Sequence, residues 1–177
     1  MKKKLLSAIL ALAIVAAPSL GFVENTDSLA PNCQITASAA QAKSGWVKEG
    51  GNWYYYIAGS KARSKWIQSK GKWYYLKWNG VMATGWEKIT GYWYYFDTVN
   101  GDMYSGRWLE KKISSKESDW YYLGNSGIMY ANQFLFYNNK WYYFDKDGIM
   151  LKNRMNYFIP NHGRWNFHND GHGERIA

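Results

Sequence analysis

Gly71-Lys72-Trp73-Tyr74-Tyr75-Leu76-Lys77-Trp78-Asn79-Gly80-Val81-Met82-Ala83-Thr84-Gly85-Trp86 reads as a turn, an aromatic strand, a glycine turn, a methionine and then Gly-Trp. From Gly45 onward most of the 177-residue chain is a copy of this stretch. The first Trp of each copy falls at Trp46, Trp66, Trp86 and Trp108, with degenerate counterparts at Phe134 and Met155. The second falls at Trp53, Trp73, Trp93, Trp120, Trp141 and Trp165. Aromatic triplets such as Tyr94-Tyr95-Phe96 follow it, whereas the last copy has Asn166-Phe167-His168. Gly80, Gly101, Gly127 and Gly148 each stand two residues before Met82, Met103, Met129 and Met150; the first copy has Ser60 and Ala62 there. The early copies are 20 residues apart, and residues 111–118 form the largest insertion, expected at a hairpin tip. A fixed period of this length is the signature of a repeat architecture.

Each copy predicts a β-hairpin. Trp66-Ile67-Gln68 begins one strand, Lys70-Gly71 turns it, and Trp73-Tyr74-Tyr75-Leu76 returns. Recurrent glycine and the lack of a 3.6-residue stripe argue against helix. Alternation puts Trp73 and Tyr75 on one face and Tyr74 and Leu76 on the other. Both faces are apolar, and an isolated hairpin is marginal in water. Neighbouring hairpins must therefore cover them. The expected fold is an all-β solenoid of stacked β-hairpin repeats, stabilised by contacts between successive units. Each large aromatic buries on the order of 150–250 Å², and Cys33, the single cysteine, permits no intrachain disulfide.

Composition divides the chain. All 11 Trp and 16 Tyr follow Ser44. Lys2, Lys3 and Lys4 precede an apolar run over residues 5–17, too short for the ~20 residues that span a bilayer. That pattern reads as a secretory signal peptide, cleaved after Ala37-Ser38-Ala39 or nearer Leu20. Cys33 lies too far from the apolar run for a lipid anchor. The expected organisation is signal peptide and linker over residues 1–44, repeats over 45–151, and a degenerate terminal repeat or cap over 152–177. No integral membrane span is expected once the signal is removed. The formal net charge of +9 points to an anionic partner, and export makes a wall polymer a better match than nucleic acid.

Gly85-Trp86 with Trp93-Tyr94-Tyr95-Phe96, and Trp141-Tyr142-Tyr143-Phe144 with Gly148-Ile149-Met150, closely resemble the choline-binding, or cell-wall-binding, repeat family. The match runs from Gly45 to about Met150 and is poor beyond. The resemblance implies a left-handed superhelix of hairpins with ligand sites between successive repeats. Each site would take both Trp of one repeat, the first Tyr of the next and the following Met. The implied sets are Trp46, Trp53, Tyr74 and Met82; then Trp66, Trp73, Tyr94 and Met103; then Trp86, Trp93, Tyr121 and Met129; then Trp108, Trp120, Tyr142 and Met150. A fifth would need Phe134, Trp141 and Asn166, and is expected to be weak or absent.

The implied partner is a choline-bearing teichoic acid or other cell-wall polysaccharide, bound by a secreted or wall-associated protein. A second reading is a carbohydrate module in which the same aromatics stack on glucan or wall sugars. The repeats contain no nucleophile–base constellation, so no catalytic residue is expected, and no cofactor. His162, His168 and His172 lie near Asp170 and Glu174, residue types that suit zinc. Their spacing matches no specific motif, and the expectation is a capping unit without metal.

Overall fold

The computed structural model describes residues 42–176. The expected signal peptide and almost all of its linker lie outside the described residues. The described chain is all strand and turn: β1 Gly45–Glu49, β2 Asn52–Ile57, β3 Ser60–Lys61, β4 Lys65–Ser69, β5 Lys72–Leu76, β6 Gly85–Ile89, β7 Tyr92–Phe96, β8 Arg107–Lys112, β9 Ser118–Leu123, β10 Gln133–Tyr137, β11 Lys140–Phe144, β12 Arg154–Ile159, β13 Gly163–Phe167 and β14 Gly173–Ile176. β1–β2, β4–β5, β6–β7, β8–β9, β10–β11 and β12–β13 are antiparallel hairpins. Among the described residues no helix is long and apolar enough to cross a membrane.

Turn chemistry explains the hairpins. Gly50-Gly51, Lys70-Gly71, Thr90-Gly91 and Asn138-Asn139 all have positive φ at both central positions. This is the type I′ geometry whose twist matches that of the flanking strands. The insertion behaves differently from its expected role as a tip alone: Lys111 pairs with Asp119 and Lys112 with Ser118, so it lengthens both strands.

Successive hairpins are joined by backbone as well as side chains. After each aromatic strand the chain doubles back, and Met82, Met103, Met129 and Met150 bridge to Leu76, Phe96, Leu123 and Phe144. The same four methionines donate their N–H to the carbonyls of Trp53, Trp73, Trp93 and Trp120, one hairpin earlier, at 2.8–2.9 Å. Each Met side chain then lies over the glycine of the following unit. Met82 meets Gly101, Met103 meets Gly127, Met129 meets Gly148 and Met150 meets Gly171, each so closely that a Cβ would collide. The Gly-x-Met spacing is therefore a packing relation between neighbours.

The core lies at these junctions. Ile67, Leu76 and Met82 of the second hairpin pack with Trp46 and Tyr55 of the first, and Leu109, Leu123 and Met129 of the fourth pack with Trp86 and Tyr95 of the third. Leu76, Phe96, Leu123, Phe144 and Phe167 are fully buried. The two faces of the aromatic strand are not equally covered, however. Trp53, Trp73, Trp93 and Trp141 remain 38–43% exposed, each with an open side.

Two register assignments differ from the sequence reading. In the first copy Tyr56 pairs with Lys61 across a shortened turn, so Gly59 and Lys61, not Ser60 and Ala62, stand at the Gly and Met positions. Lys61 turns its ammonium onto the Tyr54 ring, 3.6 Å from the centroid, and pairs with Glu49. In the last copy Phe167 pairs with Gly173 as Phe144 pairs with Met150. Trp165 is thus equivalent to the first Tyr of a triplet, not to the second Trp, and Gly173 takes the Met position. A β-bulge between Arg154 and Tyr157 accompanies the shift, and β14 continues along β13 as a full strand.

Candidate functional site

Four concavities repeat along the chain, one at each of the first four junctions. The first, about 240 Å³, is lined by Trp46, Trp53, Tyr74, Met82, Val99 and Asn100. The second, about 300 Å³, is lined by Trp66, Trp73, Tyr94, Met103 and Ser126. The third, about 330 Å³, is lined by Trp86, Trp93, Tyr121, Met129, Lys146 and Asp147. The fourth, about 360 Å³, is lined by Trp108, Trp120, Tyr142, Met150, Lys152, Asn169 and Asp170. Each of the four residue sets implied by the resemblance thus comes together in its own pocket. The insertion in the β8–β9 hairpin does not break the fourth.

Strand geometry produces this convergence. The first Trp lies on the opening strand of a hairpin and the second on its returning strand. In three cages the two rings meet edge to face, at 6.5 Å for Trp66–Trp73, 6.4 Å for Trp86–Trp93 and 6.4 Å for Trp108–Trp120. The Tyr of the next hairpin meets the first Trp at 4.9 Å in Trp46–Tyr74, 5.1 Å in Trp66–Tyr94 and Trp86–Tyr121, and 5.0 Å in Trp108–Tyr142. Interplanar angles of 65–72° in these Trp–Tyr pairs leave the faces converging on a shared volume. Burial raises the pKa of the Tyr94 and Tyr121 hydroxyls, with help from Asp119 at Tyr121, so both stay neutral and electron-rich at ordinary pH.

The sequence reading missed the wall supplied by a third unit. Val99 and Asn100, Ser126, Lys146 and Asp147, and Asn169 and Asp170 all sit in the turn before the glycine, one unit further on. Their common position, one or two residues before Gly101, Gly127, Gly148 and Gly171, is the signal that identifies them. Asp97 Oδ1 accepts the N–H groups of Val99 and Asn100, and Asp145 Oδ1 accepts those of Asp147 and Ile149. These turns hold the wall in place. The wall also differentiates the sites, being uncharged at the first two and carrying Asp147 or Asp170 at the last two. Asp147 is itself paired with Lys146 at 2.7 Å, and Asp170 with Lys140 at 3.0 Å.

At the fifth junction the shifted register replaces Asn166 by Trp165. Phe134 meets Trp141 at 6.0 Å and Trp165 at 4.6 Å, distances close to those of the four cages. Yet Trp165 is only 8% exposed, and it stacks on Phe167 at 15° inside the core. Gly173 supplies no side chain where the other junctions have Met. His162 lies against Phe134 at 5.1 Å.

The chain is thus a β-hairpin solenoid in which two Trp and a Tyr line an open concavity at each of four successive junctions. Family comparison places the chain accordingly. The choline-binding repeat matches residues 62–108, and the cell wall binding repeat matches residues 44–56, 113–129 and 132–150. Together they cover more than half of the chain, which belongs to the choline-binding, or cell-wall-binding, repeat family.

Among solved structures, CbpJ from Streptococcus pneumoniae is similar at 31% identity and a TM-score of 0.60, over 75% of this chain and 42% of that one. Truncated alternansucrase from Leuconostoc mesenteroides shares the fold at 22% identity and a TM-score of 0.53, over 62% of this chain and 10% of that one. The multimodular pneumococcal cell wall endolysin from phage Cp-1, complexed with choline, is 39% identical with a TM-score of 0.42, over 61% of this chain and 30% of that one. The chain therefore spans less than half the length of each of these proteins. No curated protein matches it.

Proposed function

We propose that this chain is a non-catalytic wall-binding protein that recognises choline groups on wall teichoic or lipoteichoic acids at the bacterial surface, each cage taking one trimethylammonium group. The observation that carries the reading is the recurrence of one geometry, two Trp, a Tyr and a Met, at four successive junctions. A trimethylammonium has no N–H to donate. It is a diffuse cation sheathed in methyl groups, and converging π faces suit it. Each face contributes roughly 0.5–2 kcal/mol depending on desolvation. Three faces give about 2–6 kcal/mol before association costs, which leaves a single site around the millimolar range. A polymer bearing many choline groups gains avidity by engaging several cages at once. The net charge of +9 favours approach to an anionic polymer. Export by way of an N-terminal signal peptide, within the signal-and-linker segment over residues 1–44, belongs to the same proposal.

Retention of the purified chain on a choline-bearing resin, followed by elution with free choline, tests the reading. Failure to bind at low salt refutes it. Pull-down by glucan that persists in excess choline replaces it with sugar stacking on the same rings.

A further inference from the structure

We infer that the last unit carries a zinc site, with His168, His172 and Glu174 as its protein ligands. Within this unit the turn after β13 and the start of β14 bring the three side chains together, with their ligand atoms within 4.8 Å of one another. His168 Nε2 is 3.5 Å from one Glu174 carboxylate oxygen, and His172 Nε2 is 3.7 Å from the other. A tetrahedral zinc with bonds of ~2.0–2.2 Å needs donor atoms about 3.3–3.5 Å apart. Both His–Glu distances are already close to that spacing. The two imidazoles stack at 4.2 Å and 13°, and both present Nε2 to the same carboxylate. Coordination splays these rings and exchanges their stacking for bonds to the ion.

Two observations point to a ligand beyond mere proximity. His168 Nε2 is buried and has no hydrogen-bond partner, although Glu174 is near. Such an orphaned polar atom is costly unless something binds it. His172 is oriented from behind: its Nδ1 meets Asp170 Oδ1, and Lys140 in turn holds Asp170. A carboxylate on the far nitrogen of a ligating histidine fixes its ring and raises its basicity, an arrangement typical of zinc centres. Two histidines and one glutamate form a donor set that leaves a fourth position for water.

The chemical consequence is local. An ion here ties the 168–172 turn to β14, the strand that pairs with both β13 and Trp141. It also stiffens the support of Asp170, which lines the fourth cage.

Titrating zinc into the metal-stripped, untagged full chain against a chromophoric chelator tests the inference. One zinc per chain with micromolar or tighter affinity is expected, together with a tetrahedral cobalt spectrum on substitution by cobalt. His172→Ala and Glu174→Gln should each weaken binding at least tenfold while leaving the circular dichroism spectrum unchanged. Because Glu174 is an exposed side chain, a folding defect is not a concern in that variant. Absence of stoichiometric zinc, or zinc binding in both variants as tight as in the wild-type chain, overturns the assignment. So does a preference for calcium or magnesium over zinc.

Discussion

Gly127→Ala tests the packing relation that joins successive repeats. Gly127 has φ +81°, and the space a Cβ would enter is occupied by the Sδ and Cε of Met103. Alanine in that backbone conformation costs roughly 1–2 kcal/mol. Displacing Met103 adds about 1 kcal/mol, the low end of overpacking costs, because the atoms in the way are the flexible end of a half-buried side chain. The sum, roughly 2–3 kcal/mol, is a substantial fraction of the stability of a domain of this size. Gly80→Ala is the internal control. Gly80 has φ +83°, but Lys61 replaces the methionine before it, and the nearest atom is the Ala62 carbonyl oxygen at 3.3 Å. That variant should lose mainly the backbone term of about 1–2 kcal/mol. Urea unfolding followed by tryptophan fluorescence measures both. Because Met103 also lines the second cage, Gly127→Ala should in addition perturb choline titration, and Gly80→Ala should do so less. Equal destabilisation by the two substitutions would refute the claim that Met–Gly contact locks the repeats together.

Trp93→Ala removes a 41%-exposed wall of the third cage and should abolish one choline site while shifting the melting temperature by only a few degrees, as calorimetry can check. Asp147→Asn should weaken the third site by less than about fivefold, since an exposed charge contributes ~0.2–1 kcal/mol, with the difference fading at high salt. Glu49 is held down to about 2 by Lys61 first, then by Lys43 and the Tyr56 hydroxyl. A carboxylate with a depressed folded pKa contributes stability above its unfolded value of 4.5 and loses it as pH falls toward 2. The wild-type chain should therefore lose more melting temperature across that window than Glu49→Gln.

Much of this architecture was legible in the residues because strand alternation and turn chemistry are local. Lys70-Gly71 demanded its turn, and the first-Trp, second-Trp, Tyr and Met positions followed from the period. The third-unit wall was not legible in that way. Asn100 reaches the Trp46 cage because the turn before Gly101 packs against Met82 of the preceding unit, a relation with no local signature. The last register misled for a different reason. Trp165 looks like a second Trp by residue type, but the pairing of Phe167 with Gly173 places it one position later. Residue identity and hydrogen-bond register competed there, and register decided. Similarly, the histidine cluster had no recognisable spacing because its ligands are assembled by a turn and a strand pairing.

The central claim is that cation–π contact at repeated junctions underlies recognition, and calorimetric titration with choline and with its uncharged carbon isostere, in which tert-butyl replaces trimethylammonium, tests it most directly. Saturation at four sites in the millimolar range by choline, with the isostere binding at least about tenfold more weakly, is the predicted result, since three lost cation–π contacts exceed the ~1.4 kcal/mol that a factor of ten represents. Equal binding of the two compounds, or no saturable choline binding, would contradict it.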